Sequence, residues 1–146
     1  MQETPLSPSL EPADCNCQAL RQAARRVTQA YDTHLASVGL KTTQYSILAK
    51  LNRLGPLSIN ELAKLMVMDR TTLGRAVKPL ERDKLLVIGG DDDGRKRSLR
   101  LTPAGQARLK AGSAKWREAQ KEFELAYGVT ESADLRTALR QVVAAT

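Results

Sequence analysis

Between Leu57 and Thr102 the spacing of apolar residues changes from helical to strand-like, and this switch constrains the fold more than any other feature of the chain. Ser58-Ile59-Asn60-Glu61 has capping-box spacing and predicts a short helix through about Met66. Asp69, with Thr72 three positions on, predicts the cap of another helix whose apolar side is Leu73, Ala76, Val77 and Leu80. Pro79 removes one hydrogen bond near its end and is expected to kink or tighten the last turn. The period then shortens: Leu85-Leu86-Val87-Ile88 and Ser98-Leu99-Arg100-Leu101-Thr102 are strand-like runs around the polar, glycine-bearing stretch from Gly89 to Arg97, which suits a hairpin.

The flanking segments read as helices. Residues 1–13 contain Pro5, Pro8 and Pro12 and few apolar side chains, so they are expected to form a flexible arm. Leu20, Ala24, Val27, Tyr31, Leu35 and Val38 then line one face of a long helix that Gly39 stops. Thr42 or Thr43 is expected to cap the next, with Tyr45, Leu48, Leu51 and Leu54 as its buried stripe and Gly55-Pro56 as its end. Thr102-Pro103 predicts the start of a long helix bearing Leu109, Trp116, Ala119, Phe123 and Tyr127, and Thr130 or Ser132 the start of a last one with Leu135, Leu139 and Val142. Aromatic residues make up only 3% of the 146, so the core must rest on aliphatic side chains, which argues against a β-sandwich. The expected class is mainly α with a small β-hairpin wing: helices in 14–41 and 103–146 around a winged helix-turn-helix unit at 42–102.

A short capped helix, a tight turn, a second helix and a basic hairpin form the layout that places the second helix in the DNA major groove. With the buried residues set aside, that helix exposes Arg70, Thr71, Thr72, Gly74, Arg75 and Lys78. Arginine pairs bidentately with guanine, the threonine methyl touches that of thymine, and Gly74 lets the helix approach the duplex closely. Arg70 or Arg75 is the expected base reader, although Arg70, Arg75 and Lys78 all equally suit the role of phosphate anchor. The net charge of +7 and pI near 9.7 favour a polyanionic partner. Residues 58–102, however, hold ten basic and seven acidic side chains, so binding depends on where the arginines point.

The stretches SINELAKLMVMDRTTLGRAVKPLERDKLL and DDDGRKRSLRLTPAG, with Asp93-Gly94-Arg95 and Leu101-Thr102-Pro103-Ala104-Gly105 as the most specific parts, resemble the MarR family of bacterial transcriptional regulators. The resemblance covers residues 15–146 and implies a homodimer joined through 14–41 and 103–146. It also implies a pseudo-palindromic double-stranded DNA operator and release by a small effector. By the same resemblance Arg95 enters the minor groove, Lys96 and Arg97 complete the basic wing, and Asp93 holds the wing through a nearby arginine such as Arg97. Where many relatives carry glycine before the first wing strand this chain has Lys84, so the preceding helix is expected to end without the usual left-handed glycine.

The family's effector cleft lies where the first two helices meet the fifth and often takes aromatic carboxylates. On that basis Arg21, Tyr31, His34, Tyr45 and Trp116 are the candidate effector-binding set, supplying a cation, hydrogen-bond donors and a ring face. His34 equally suits a structural or solvated role, and Trp116 and Phe123 a core or dimer seam. Cys15 and Cys17 raise a thiol-based redox alternative, because the family includes oxidant sensors. Against it, residues two apart on a helix point about 200 degrees apart. One histidine with two cysteines falls short of four zinc ligands, so no metal and no resident cofactor are expected. A sequence-neutral DNA-binding protein is a third reading. No nucleophile elbow, phosphate loop, dinucleotide fingerprint or His-Glu metal motif supports an enzyme. Apolar runs reach only about four residues and the first residues lack a signal-peptide pattern, so no membrane partner and a cytoplasmic location are expected.

Overall fold

The computed structural model describes residues 11–90 and 97–146. After a 3-10 turn at Pro12–Asp14, the helices are α1 (Asn16–Leu35), α2 (Thr42–Leu54), α3 (Ile59–Met66), α4 (Arg70–Arg82), α5 (Pro103–Tyr127) and α6 (Val129–Ala145). Three short strands, β1 (Leu57–Ser58), β2 (Leu86–Gly90) and β3 (Arg97–Leu101), form an antiparallel sheet in the order β1-β3-β2. The architecture is mainly α with a wing, as the sequence predicts. The sheet has one strand more than a hairpin: Leu57 and Ser58, directly after Gly55-Pro56, pair with Leu99 and Ser98 on the free edge of β3. Two residues carry no readable alternation, so β1 left no trace in the pattern.

Backbone hydrogen bonds explain where the helices stop. Below α1 a 3-10 turn at Ala36–Val38 leads to Gly39 at φ +71°, and the Leu40 N–H donates to the Leu35 carbonyl at 3.2 Å. Thus Gly39 terminates the helical run as expected, although its α-helical part already ends at Leu35. Helix α3 closes the same way without glycine: Val67 sits at φ +54°, and the Met68 N–H reaches the Ala63 carbonyl at 2.9 Å. Helix α4 runs through Pro79 to Arg82. Lys84 then takes φ +59°, with Lys84 N–H donating to Glu81 and Leu85 N–H to Leu80 at 3.0 and 2.9 Å. The helix does end without the usual left-handed glycine, as expected, and the lysine itself takes the left-handed conformation, because the paired bonds of the turn offset its strain.

The caps of α3 and α4 match the sequence. Ser58 Oγ accepts from the Glu61 N–H at 3.1 Å while the Glu61 carboxylate accepts from the Ser58 N–H at 2.9 Å, and Asp69 Oδ1 accepts from the Thr72 N–H at 2.7 Å. Helix α2 departs from expectation. Thr42 is its first residue rather than its cap; the Thr42 N–H donates to Asp32 Oδ1 of α1 at 2.7 Å and the Lys41 N–H to Gln44 Oε1 at 3.0 Å. A carboxylate ten positions back thus caps α2 and pins it to α1. Its buried stripe is Ile47, Leu48 and Leu51, with Leu54 exposed. Helix α6 starts at Val129, ahead of both expected residues, with the Ser132 hydroxyl donating to the Gly128 carbonyl.

The core gathers Leu35, Ile47, Leu48, Leu62, Leu73, Val77, Leu80, Leu86 and Leu99, and so joins α1 to α4 with the sheet. Helix α5 is bolted to this core at its N-terminus. Thr102 Oγ1 accepts from the Gly105 N–H at 3.0 Å and donates to the Lys84 carbonyl at 2.7 Å, while the Thr102 N–H donates to Leu85. A Cβ on Gly105 would lie 1.9 Å from the Leu85 carbonyl oxygen, so only glycine lets α5 start so close to the α4–β2 corner.

Candidate nucleic-acid interface

The apolar side of α4 is buried through Leu73, Val77 and Leu80, which turns Arg70, Thr71, Arg75 and Lys78 outward. Asp69 fixes the start of the helix. Hydrogen bonds from the Thr72 backbone, and then from its hydroxyl at 2.8 Å, hold the Asp69 carboxyl below the usual carboxylate range. Thr72 is exposed, but its hydroxyl is engaged in this cap, which leaves its methyl as the group it offers outward.

Beside α4 the hairpin continues to Gly90 paired with Arg97, and Arg97 is exposed at the described end of the wing. The expected wing-tip residues Asp93, Arg95 and Lys96 lie outside the described residues. Arg100, which the sequence reading did not single out, is also exposed on β3, with its Nε donating to Ser98 Oγ at 3.4 Å. Its position between buried Leu99 and half-buried Leu101 was the available signal. A further basic residue, Arg82, lines an open cleft of about 640 Å³ along α4 with Arg75, Lys78, Pro79 and Glu81. A second cleft of about 400 Å³ runs from the α1–α2 corner, at Asp32 and Lys41, to Arg82 and Asp83 at the end of α4.

The five candidate effector residues divide into groups. Tyr45 of α2 stacks on Trp116 of α5 with centroids 6.1 Å apart and planes 16° apart, and the Tyr45 and Ser113 hydroxyls hydrogen-bond at 3.1 Å. The Tyr31 hydroxyl donates to Gln120 Oε1, and burial, then the Glu124 charge, push its pKa up against the opposing pull of Arg136. His34 places Nδ1 3.0 Å from the Ala30 carbonyl and Nε2 3.1 Å from Glu122 Oε2. Those two acceptors, the backbone one first, raise its pKa above the ordinary imidazole value against a desolvation cost. Arg21 is exposed on α1, ten residues before Tyr31 and therefore about 15 Å along the helix. The structure thus brings Tyr45 to Trp116, ties Tyr31 and His34 to α5, and leaves Arg21 apart; neither cleft is lined by any of the five.

Cys15 and Cys17 are exposed free thiols. Cys15 precedes α1 in extended backbone, and its Sγ accepts from the Gln18 N–H at 3.4 Å. The 200 degree separation expected of two helical residues therefore does not apply to this pair. Among the described residues no three His, Cys, Asp or Glu side chains cluster as a metal site, and no helix is long and apolar enough to cross a membrane.

Comparison with known proteins adds to this geometry. The family model described as MarR family matches residues 38–97. A probable transcriptional regulator from Pseudomonas aeruginosa is 32% identical, with 90% of this chain and 99% of that chain covered at a TM-score of 0.80. The M. tuberculosis transcriptional regulator MosR in complex with DNA is 34% identical, with 90% and 97% covered at 0.77. Bordetella bronchiseptica BpsR, whose DNA binding is regulated by 6-hydroxynicotinic acid, shares the fold at 20% identity, 92% and 97% coverage and a TM-score of 0.81. Among curated proteins no relative matches. With a capped α3–α4 pair, a three-stranded wing and relatives above 30% identity along nearly the whole chain, this protein belongs to the MarR family of transcriptional regulators.

Proposed function

We propose that this protein is a cytoplasmic, homodimeric repressor that binds a pseudo-palindromic DNA operator and releases it on binding a small aromatic carboxylate. The observation that carries the reading is the outward row of Arg70, Thr71, Arg75 and Lys78 on a helix whose opposite side is locked into the core, next to the exposed Arg97 of the wing. The positive N-terminal end of α4 faces the phosphates, and the arginines reach base edges. Arg95 and Lys96 extend the basic wing, with Asp93 holding it in place. The dimer is supported by apolar side chains exposed on the helices outside the winged unit: Leu20 on α1, Leu125 on α5, and Leu139, Val142 and Val143 on α6. MosR, a relative at 34% identity, is described in complex with DNA.

The effector proposal rests on the Tyr45–Trp116 stack and the Tyr31 and His34 contacts to α5, which place ring faces and polar groups where the winged unit meets the long helices; Arg21 would supply the cation. At the level of fold alone, BpsR answers to an aromatic carboxylate. A second reading, release by thiol oxidation, is favoured by one observation: Cys15 stands in extended backbone at the N-terminus of α1, two residues from an equally exposed Cys17.

The test is a mobility shift at matched salt with a duplex that the protein has itself enriched from a random pool and with its scrambled counterpart. A repressor shows a large preference for the former, and a sequence-neutral binder shows none. Displacement by aromatic acids supports the effector reading. Displacement by peroxide alone, abolished in Cys15→Ser, supports the thiol reading in its place. Arg95→Ala is expected to weaken binding with dimer mass unchanged, and retention of full affinity would remove the wing from the interface.

A further inference from the structure

Glycine inside a helix needs a reason, because only proline is less favourable there. At five other glycines of this chain the reasons are visible. Gly39, Gly55 and Gly128 have positive φ, and a Cβ on Gly105 or Gly112 would press on Leu85 or on Leu40 and Tyr45. Gly74, in the middle of α4, has none of these. Its backbone is ordinary right-handed helix, and a Cβ built on it meets no protein atom within 4 Å. The fold would accept alanine and gain from it.

The position of the gap points outward. Arg70, Gly74 and Lys78 follow one another at four-residue steps and form a single row along the helix, with exposed Thr71 and Arg75 beside it. Two long cations flank a point where the backbone itself is the surface. The main chain can approach a partner most closely there, while Arg70 and Lys78 reach past it on either side.

We infer that Gly74 sets the depth at which α4 seats in the DNA major groove, acting as a positioning residue for sequence readout through the side chain it lacks. The inference rests on the proposed DNA binding and adds a claim about how the helix fits. A methyl group at Gly74 holds the helix axis off the base edges. Contacts to phosphate tolerate that displacement because long side chains make them, whereas bidentate base contacts do not.

The experiment compares wild type, Gly74→Ala and Gly74→Leu on the duplex enriched by the wild-type protein and on its scrambled version, alongside thermal melting. The expected result is a Tm for Gly74→Ala raised by about 2 to 4 °C. Affinity for the enriched duplex is expected to fall about tenfold for alanine and about a hundredfold for leucine, with affinity for the scrambled duplex changed less than about twofold. Undiminished preference for the enriched duplex in both variants overturns the inference while leaving the DNA reading intact. A Tm that falls in Gly74→Ala also overturns it, because the glycine then has an internal cause. If the wild-type protein enriches no sequence, the DNA reading fails and this inference with it.

Discussion

Val67 and Lys84 hold left-handed backbone, a conformation that costs an L-residue about 1 to 2 kcal/mol and that favours glycine. Each sits at the position where a helix must reverse, and each is kept there by the two backbone bonds of its turn. Val67 is 70% exposed and β-branched, so it has little burial to lose and more strain to relieve. Val67→Gly is therefore expected to stabilise the protein by about 1 kcal/mol and Lys84→Gly by somewhat less, after allowing for the greater freedom of glycine in the unfolded chain. A urea midpoint that falls in either variant contradicts this account. His34 carries a different dependence. Its folded pKa is raised by Ala30 and then Glu122, so its contribution is complete below the ordinary imidazole value of 6.5 and is lost as the pH rises through the folded value. The Tm advantage of wild type over His34→Gln is expected to be full at about pH 5.5 and to shrink as the pH rises above the ordinary imidazole value. A constant difference over that rise would show that the ring's charge is not involved.

The junctions between helices and strands are where this chain spends its most specific residues. Leu101-Thr102-Pro103-Ala104-Gly105 reads locally as a strand end and a helix cap, and it is both. It is also a clamp: Thr102 binds the Lys84 carbonyl and Gly105 lies against Leu85, so the wing, the end of α4 and the start of α5 share one corner. Gly105→Ala must move a backbone carbonyl and is expected to cost about 3 kcal/mol. Gly89→Ala, where a Cβ meets nothing within 4 Å, is expected to change stability by less than about 0.5 kcal/mol. Chemical denaturation of both variants checks the contrast, and equal losses would remove the clamp from the explanation. The cap of α2 shows the limit of local reading, since its acceptor Asp32 lies on another helix and no spacing rule connects it to Thr42.

Across the chain, burial is uneven. The winged unit buries Leu62, Leu73, Leu80, Leu86 and Leu99 almost completely, whereas α6 leaves Leu139, Val142 and Val143 between 37% and 56% exposed. The proposed dimer through these helices would account for the difference. Leu139→Glu combined with Val142→Glu is expected to yield monomers by light scattering and to weaken operator binding strongly, because two half-sites are no longer held together. Dimers of unchanged mass would place the interface elsewhere.

The local pattern of this chain was enough to establish the order of its helices, the caps at Ser58, Asp69 and Thr102, the outward face of α4 and the family, because capping and amphipathic periodicity act within a few residues. It could not establish β1, the capping of α2 by Asp32, the lysine-bearing turn at the end of α4, or the pairing of Tyr45 with Trp116. The lysine turn is local, closed by Lys84 to Glu81 and Leu85 to Leu80, but lysine is not the residue that signals left-handed backbone; the other three depend on residues of different elements meeting in space. There the free energy of packing and of satisfying buried backbone groups outweighs local preference.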